Sequence, residues 1–322
     1  MQKILFRADA GAGIGYGHFI RTLALADMLK NDFDCIFYTT EPTPYQVAQM
    51  ADVCSYVALE AKNKFYQFLD CLKGDEIVVL DNYFYTTDYQ RKIKAIGCKL
   101  VCIDDMHDKH YVADLIINQG ICWTKEDYSC EPYTSFAFGL QYSLLRKAFF
   151  DASRKRNKLV RKNDNISVVV AFGGSDFLDL THKIIQEIVE QPIIKHITAI
   201  VGDRYLTENK ILSDKVDYKK NLSAEDIAEL FLNTDVAILP ASTMMNEAMA
   251  CGTFIIGGYY VTNQEYDYYS YLKENLIIGV GDYSDADCVE RVKMALTRTE
   301  TKVVNSITPD TPQRMVELFK TL

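Results

Sequence analysis

The sequence passes from an apolar strand through a glycine-rich loop into a helix at Phe6-Arg7-Ala8-Asp9-Ala10-Gly11-Ala12-Gly13-Ile14-Gly15-Tyr16-Gly17-His18-Phe19-Ile20-Arg21. Glycines let the backbone turn tightly and come close to a ligand, and the free amides at a helix start attract negative charge. The stretch therefore predicts a loop that approaches a ligand. Its spacing matches neither the G-x-G-x-x-G nor the Walker G-x-x-x-x-G-K pattern, so it indicates neither an NAD site nor a P-loop.

Apolar strand-like runs alternate with amphipathic helical stretches on either side of this loop. In the first half the strands are predicted over Lys3–Arg7, Cys35–Tyr38, Ile77–Leu80 and Leu100–Ile103. Connections of this length join parallel strands whose sheet is covered on both faces. The alternation begins again at Ile166–Phe172. We therefore predict an α/β protein of two doubly wound Rossmann-like domains facing a central cleft, where ligands bind in such folds.

The length and one basic segment set the expected domain bounds. A chain of 322 residues is long enough for two domains with separate cores. The run Arg154–Lys162 holds six basic residues in nine, and we interpret it as a solvated linker, with attraction to a membrane surface as the lesser alternative. We expect an N-terminal domain over 1–153, a linker over 154–165, a C-terminal domain over 166–308 and a terminal helix over 309–322.

The composition argues against several classes of protein. With 44 acidic and 35 basic residues the net charge is −9, whereas broad nucleic-acid binding needs a basic face. The nine scattered cysteines are typical of reduced core residues in a cytoplasmic protein, and no zinc-finger spacing occurs. No signal-peptide pattern and no apolar run near the ~20 residues of a membrane span is present. We expect a cytoplasmic monomer with no metal or cofactor, no nucleic-acid partner and at most weak peripheral membrane contact.

His18 is the candidate base of the glycine-rich loop. It stands at the start of the predicted helix, where the helix dipole disfavours the imidazolium and keeps a neutral imidazole available to activate water. The alternative is a histidine that caps or packs the helix start. Asp9, in the same turn, either orients the imidazole or closes the loop through hydrogen bonds. The residues alone leave both alternatives open.

Polar side chains follow two other strands of the first half. Asp81-Asn82-Tyr83 comes after one predicted strand, and Asp104-Asp105 follows another. Both groups are expected at the sheet edge where doubly wound folds place ligands. They either line a sugar pocket or are ordinary strand-end residues.

Two stretches of the second half suit a nucleotide. The turn Gly173-Gly174-Ser175-Asp176 follows a buried strand, and its amides and the Ser175 hydroxyl suit a diphosphate. In Ala241-Ser242-Thr243-Met244-Met245-Asn246-Glu247, a hydroxyl stands at a predicted helix start with Glu247 about one turn inside. A phosphate could rest on that helix start while Glu247 accepts from two ribose hydroxyls. The alternatives are an ordinary tight turn and a capped helix with a solvated glutamate.

Several blocks in the same order resemble the UDP-2,4-diacetamido-2,4,6-trideoxy-β-L-altropyranose hydrolases of pseudaminic acid biosynthesis. That family has the two-domain GT-B architecture and is similar to the N-acetylglucosaminyltransferase of peptidoglycan synthesis. The resemblance covers most of the chain. It is carried by Ile4–Asp9, Ile14–His18, Tyr142–Arg146, Gly173–Asp176, Ala241–Glu247 and Asn263-Gln264.

The resemblance implies a reaction and a role for each matching residue. A water activated by His18 would attack the anomeric carbon of a UDP-sugar with inversion, releasing UDP without a metal. Three groups of residues follow from it: catalytic residues His18, Asp9 and Tyr83; substrate-binding residues Gly15, Gly17, Arg21, Asp81, Asn82, Arg146, Asn263 and Gln264; and UDP-binding residues Gly173, Gly174, Ser175, Asp176, Ala241, Ser242, Thr243, Asn246 and Glu247.

One departure from the family leaves the substrate open. The family usually has Asp-His-Tyr where this chain has Asp81-Asn82-Tyr83, and loss of that imidazole bears on substrate choice and on acid–base chemistry. The first alternative is a GT-B glycosyltransferase that passes a sugar from UDP to a lipid or polysaccharide acceptor. The second is a protein that binds a nucleotide sugar without turnover.

Overall fold

The computed structural model describes residues 1–11, 15–155, 165–173, 176–202, 205, 208, 210–298 and 307–322. The chain forms two compact units, Met1–Lys147 with Asp310–Leu322, and Ala148–Pro309. The division falls at Lys147, earlier than the expected domain end at 153, and the terminal helix belongs to the first unit. Residues 156–164 of the expected linker lie outside the described residues.

A seven-stranded parallel sheet forms the first unit, in the order β3-β2-β1-β4-β5-β7-β9. A separate parallel pair joins β6 to β8. The strands are β1 (Lys3–Ala8), β2 (Asp34–Thr40), β3 (Ser55–Leu59), β4 (Ile77–Asp81), β5 (Lys99–Ile103), β6 (His110–Tyr111), β7 (Leu115–Asn118), β8 (Ser129–Cys130) and β9 (Ser135–Phe138).

A six-stranded parallel sheet forms the second unit, in the order β12-β11-β10-β13-β14-β15. In both sheets the first strand of the unit lies inside, and the order 3-2-1-4-5 is that of a doubly wound Rossmann fold. The strands are β10 (Ile166–Ala171), β11 (Ile194–Ile200), β12 (Val216–Lys219), β13 (Val236–Pro240), β14 (Phe254–Tyr259) and β15 (Ile278–Asp282).

Helices connect the strands in both units. They are α1 (Gly17–Leu29), α2 (Pro44–Ala51), α3 (Lys64–Asp70), α4 (Thr87–Ile96), α5 (Lys147–Lys155), α6 (Leu180–Ile188), α7 (Ala224–Leu232), α8 (Thr243–Cys251), α9 (Thr262–Lys273), α10 (Cys288–Leu296) and α11 (Thr311–Phe319). Short 3₁₀ turns span Lys125–Asp127 and Leu140–Tyr142. No helix among the described residues is both long and apolar enough to cross a membrane.

The core of the first unit lies on both faces of its sheet. Ile4 and Phe6 of β1 point to one face and pack with α1 and α11, whereas Leu5 points to the other face and packs with α4. A strand buried on both faces needs apolar residues at successive positions, which explains the continuous apolar runs of the sequence. One apolar cluster of the second unit joins its sheet to α6 and α10 in the same way. The predicted α/β class with parallel sheets is confirmed.

Candidate active site

The glycine-rich loop leaves the carboxyl edge of the first sheet. β1 pairs with β4 so that Ala8 lies beside Asp81, and the residues that follow both strands meet at this edge. The Gly15 amide donates to the Gly11 carbonyl at 2.8 Å across the loop. Gly15 has φ +78°, a left-handed conformation that favours glycine. The loop then enters α1 at Gly17, which borders open space.

His18, at the start of α1, contacts the carboxylate of Asp81 at the end of β4. The side chain is almost fully buried, and its Nδ1 lies 2.6 Å from Oδ1 of Asp81. An ionised carboxylate only accepts hydrogen bonds, so when the ring is neutral its single proton is on Nδ1 and Nε2 keeps the lone pair. The arrangement gives the ring the tautomer that a general base needs at Nε2.

Asp81 is the centre of a buried hydrogen-bond network. Its two oxygens accept from Nε and Nη2 of Arg21, each at 2.6 Å, and from the Thr22 hydroxyl at 2.9 Å. Burial opposes ionisation of Asp81, but attraction to Arg21 and hydrogen bonds from Arg21 and His18 outweigh it and lower its pKa to about 2. Asp81 is therefore an ionised acceptor at neutral pH.

Three residues of α1 share the face that meets Asp81. His18, Arg21 and Thr22 stand at positions i, i+3 and i+4, which lie together on one side of a helix. All three are buried. Thr22 was not among the predicted site residues, although this spacing was visible in the sequence and was the signal that could have found it.

Tyr83 and Asp105 extend the network towards solvent. The Tyr83 ring meets the His18 ring edge-on with centroids 4.6 Å apart, and its hydroxyl donates to Oδ2 of Asp105 at 3.3 Å. The same oxygen accepts from Nη1 of Arg21 at 2.8 Å. Tyr83 is 43% exposed, so a ligand can reach it while it contacts the imidazole.

Asp9 belongs to a different group of charges. It pairs with Arg7 and with Nζ of Lys64 at 2.9 Å, and it accepts from the Thr40 amide at 2.9 Å. Burial opposes its ionisation, but the Arg7 and Lys64 contacts lower its pKa to about 2. The carboxylate on His18 is Asp81, so the contacts support the interpretation in which Asp9 closes the loop through hydrogen bonds.

The Asn82 side chain hydrogen-bonds the backbone of Asp9, where the glycine-rich loop begins. The Asp9 amide donates to its Oδ1 at 2.8 Å, and its Nδ2 lies 3.4 Å from the Asp9 carbonyl oxygen. The neighbouring Asp81 holds the other end of the loop through His18. Arg146, also predicted to bind substrate, is half-buried in the first unit, after the 3₁₀ turn Leu140–Tyr142.

Asp104 has a structural role after β5. Its carboxylate accepts from the hydroxyls of Tyr111 and Tyr128 and from the amides of Met106 and His107. These contacts shape the turn that carries Asp105. Asp104 is thus a strand-end residue that supports the site indirectly.

The glycine turn after β10 is partly described. Gly173 has φ +76° and no atom near the place of a Cβ, so this position favours glycine and borders open space. Gly174 and Ser175 lie outside the described residues. The Asp176 carboxylate accepts from the amides of Leu180 and Thr181, each at 2.9 Å. Asp176 thus occupies the amides at the start of α6, and a diphosphate would not use them.

The start of α8 lacks the side-chain cap that its sequence predicts. Ser242 stands at the N-cap, as expected, but its hydroxyl accepts no capping hydrogen bond. Thr243 is the first residue of α8, and Glu247 is buried one turn inside. The helix start can therefore offer amides to an anion.

Four other predicted residues of the second unit have structural contacts or lie at the surface. The Ala241 amide donates to the Gly258 carbonyl at 2.8 Å, and Oδ1 of buried Asn246 accepts from the Tyr271 hydroxyl at 2.8 Å. In the first turn of α9, Gln264 accepts from the Tyr260 amide at 3.1 Å, while Asn263 is exposed. Within the described parts of the chain, no group of three or more His, Cys, Asp or Glu side chains is arranged to hold a metal ion.

The chain is similar in sequence to three curated proteins, and no protein-family model matches it. An uncharacterized protein of Methanocaldococcus jannaschii is 24% identical over 85% of this chain, which spans 59% of that relative's length. The UDP-2,4-diacetamido-2,4,6-trideoxy-beta-L-altropyranose hydrolase of Campylobacter jejuni is 26% identical, over 82% of this chain and 94% of that one. The spore coat polysaccharide biosynthesis protein SpsG of Bacillus subtilis is 25% identical, over 76% and 74%. The resemblance to the hydrolase inferred from sequence blocks is confirmed.

Solved structures share the fold of the chain. MurG of Acinetobacter baumannii has a TM-score of 0.69 at 11% identity and covers 100% of both chains. MnaA of S. aureus, solved with UDP, has a TM-score of 0.66 at 11% identity and covers 99% of this chain and 96% of that one. Likeness at this identity concerns the fold alone. The predicted GT-B class is confirmed.

Proposed function

We propose that the chain is a UDP-sugar-processing enzyme of polysaccharide biosynthesis, and more narrowly a hydrolase that releases UDP from a UDP-2,4-diacetamido-2,4,6-trideoxy hexose of the pseudaminic acid route. The observation that carries the hydrolase is the contact of His18 Nδ1 with ionised Asp81, which leaves Nε2 as a base. The relatives in Campylobacter jejuni and Bacillus subtilis support the substrate class.

The reaction consists of one displacement. Nε2 of His18 takes a proton from water as the water oxygen attacks the anomeric carbon. The bond from that carbon to the β-phosphate oxygen breaks, and its electron pair leaves with UDP. Asp81 stabilises the imidazolium that forms, as a buried carboxylate does beside a catalytic histidine. The free sugar has inverted anomeric configuration.

The two halves of the substrate use different residues. Around His18, Tyr83 contributes an exposed aromatic wall and Gly15 and Gly17 leave open space for the sugar. In the second unit, amides at the start of α8 bind the diphosphate and Glu247 accepts from the ribose hydroxyls. Amides at the start of α8 and the backbone at Gly173 stabilise the departing charge, so the proposed reaction uses no metal.

The test is UDP release from the UDP-linked diacetamido-trideoxy-altrose without an acceptor and with a chelator present. We expect release by the wild-type protein and a loss of about 10²–10⁴-fold in His18→Ala, the usual contribution of a general base. His196→Ala is the matched control, because His196 lies on β11, outside the proposed site, and pairs with Asp217. The control should release UDP at the wild-type rate.

Three outcomes would contradict parts of the proposal. Wild-type release by His18→Ala would show that another group is the base. Loss of release in the chelator would show that the reaction needs a metal. Release only after a lipid or polysaccharide acceptor is added would indicate a glycosyltransferase instead.

A further inference from the structure

Asp105 reaches His18 through Arg21. The Asp105 carboxylate accepts from Nη1 of Arg21 at 2.8 Å, while Nε and Nη2 of the same guanidinium bind Asp81. Nη2 also lies 3.2 Å from Nδ1 of His18. Burial would lower the pKa of Arg21, but the two carboxylates raise it well above its usual value. One permanent cation is therefore held between two carboxylates beside the imidazole.

The charges around His18 do not cancel. The described groups that face it are Asp81 after β4, Arg21 on α1 and Tyr83, with Asp105 after β5 behind Arg21. Two carboxylates and one guanidinium sum to one net negative charge. Asp81 and Arg21 alone would sum to zero, so the excess charge is that of Asp105.

The charged residues that meet at the end of β1 do not supply this excess negative charge. Asp9 is paired with both Arg7 and Lys64, so that group carries one net positive charge. It is joined to the His18 network through Asn82, which is neutral. A positive group nearby disfavours protonation of the His18 imidazole. The negative charge of Asp105 opposes this effect, so it matters more if His18 is to take a proton.

We propose that Asp105 is a positioning residue that acts through Arg21, and that its negative charge increases the proton affinity of the His18 imidazole. This inference rests on the proposed function, in which His18 takes a proton from water. Without Asp105 the imidazolium would form beside a neutral Asp81–Arg21 pair. With Asp105 it forms beside a net negative charge, which stabilises it.

The experiment compares the wild type with Asp105→Asn, Asp105→Glu and Asp88→Asn. Two quantities are followed against pH. One is the rate of UDP release. The other is the NMR signal of the His18 imidazole in ligand-free protein, which is assigned because it is missing from the spectrum of His18→Gln. Because the Asp105 side chain is 29% exposed, we expect a shift of about one pH unit.

In Asp105→Asn, the acid limb of the rate profile and the NMR midpoint should both move to lower pH. Asp105→Glu keeps the charge, and Asp88→Asn removes a carboxylate that is 82% exposed on α4, so both should stay near the wild type. Unchanged midpoints in Asp105→Asn, or an equal shift in Asp105→Glu, would overturn the inference. If the wild type releases no UDP, the proposed function fails, whereas the NMR midpoint still decides the role of Asp105. Asp105→Ser replaces the Asn variant if thermal unfolding shows that the latter does not fold.

Discussion

Two of the buried carboxylates at the carboxyl edge of the first sheet, Asp9 and Asp81, contribute to how this unit responds to acid. Contacts with Arg7 and Lys64, and with Arg21 and His18, outweigh burial and lower the pKa of both Asp9 and Asp81 to about 2. In the unfolded chain their pKa is about 3.9. A lowered pKa stabilises the fold above the unfolded pKa, and this stabilisation is lost as the pH falls from about 4 to about 2.

We predict that each carboxylate contributes about 2 kcal/mol to the free energy of unfolding at pH 7, and that this contribution disappears in that acid range. Thermal unfolding measured between pH 7 and pH 2.5 checks it. Asp9→Asn should be less stable than the wild type at pH 7 and should lose less on acidification. Asp88→Asn, at an exposed position, should follow the wild-type curve, and identical slopes in Asp9→Asn and the wild type would refute the prediction.

Single residues of the site were predictable from the sequence only where they lie within a few positions of one another. His18, Arg21 and the glycines lie within one short stretch, so their proximity follows from the loop and from the helical period. The partner of His18 is Asp81, 63 positions away, whereas Asp9, only nine positions away, was the nearer candidate along the chain. The structure distinguishes them because Arg7, Lys64 and Thr40 engage Asp9. Those contacts come from three different elements and have no joint signal in the sequence.

Two helices of the second unit start with the same residue type and differ in how the serine is used. Ser223, at the N-cap of α7, accepts from the Asp226 amide at 3.0 Å in a full capping box. Ser242, at the N-cap of α8, accepts no such hydrogen bond. A serine cap stabilises a protein by about 1 kcal/mol, so only Ser223 should contribute it in the ligand-free state.

We therefore predict opposite patterns for two alanine substitutions. Ser223→Ala should lower the free energy of unfolding by about 1 kcal/mol and leave UDP affinity unchanged. Ser242→Ala should change unfolding by less than about 0.5 kcal/mol and weaken UDP binding, because its hydroxyl remains available to a phosphate. Chemical denaturation and calorimetric titration with UDP measure the two effects. A stability loss in Ser242→Ala equal to that of Ser223→Ala would show that its hydroxyl already caps α8.

Three strands with long apolar runs were predicted, whereas two strands at the sheet edges were missed. β1, β4 and β10 are continuous apolar runs buried on both faces, and each was predicted close to its observed bounds. β3 at the edge of the first sheet is exposed at four of its five residues, and β12 at the edge of the second alternates half-buried and exposed residues. These short strands form because a neighbouring strand offers free backbone groups, which local sequence does not reveal.

At the scale of the whole molecule, the chain returns to its first unit after the second is complete. The sequence indicated a terminal helix but not which core it joins. In α11, Met315, Val316 and Phe319 belong to the same apolar cluster as Ile4, Phe6 and Leu29. An amphipathic helix can cover any apolar surface of suitable size, so its place depends on tertiary packing rather than on its own pattern.

We predict that the first unit depends on α11 for its stability. Phe319 is 1% exposed, packs edge-on against Phe33 and joins the cluster beneath α1. Removing a buried phenylalanine ring costs about 3–5 kcal/mol, so Phe319→Ala should lower the unfolding temperature and weaken hydrogen-exchange protection in β1 and α1. Lys320→Ala is the neighbouring control, since its ion pair with Asp32 is largely exposed and contributes about 0–1 kcal/mol. If Phe319→Ala left the protection of β1 unchanged, α11 would be an attachment to the first unit and not part of its core.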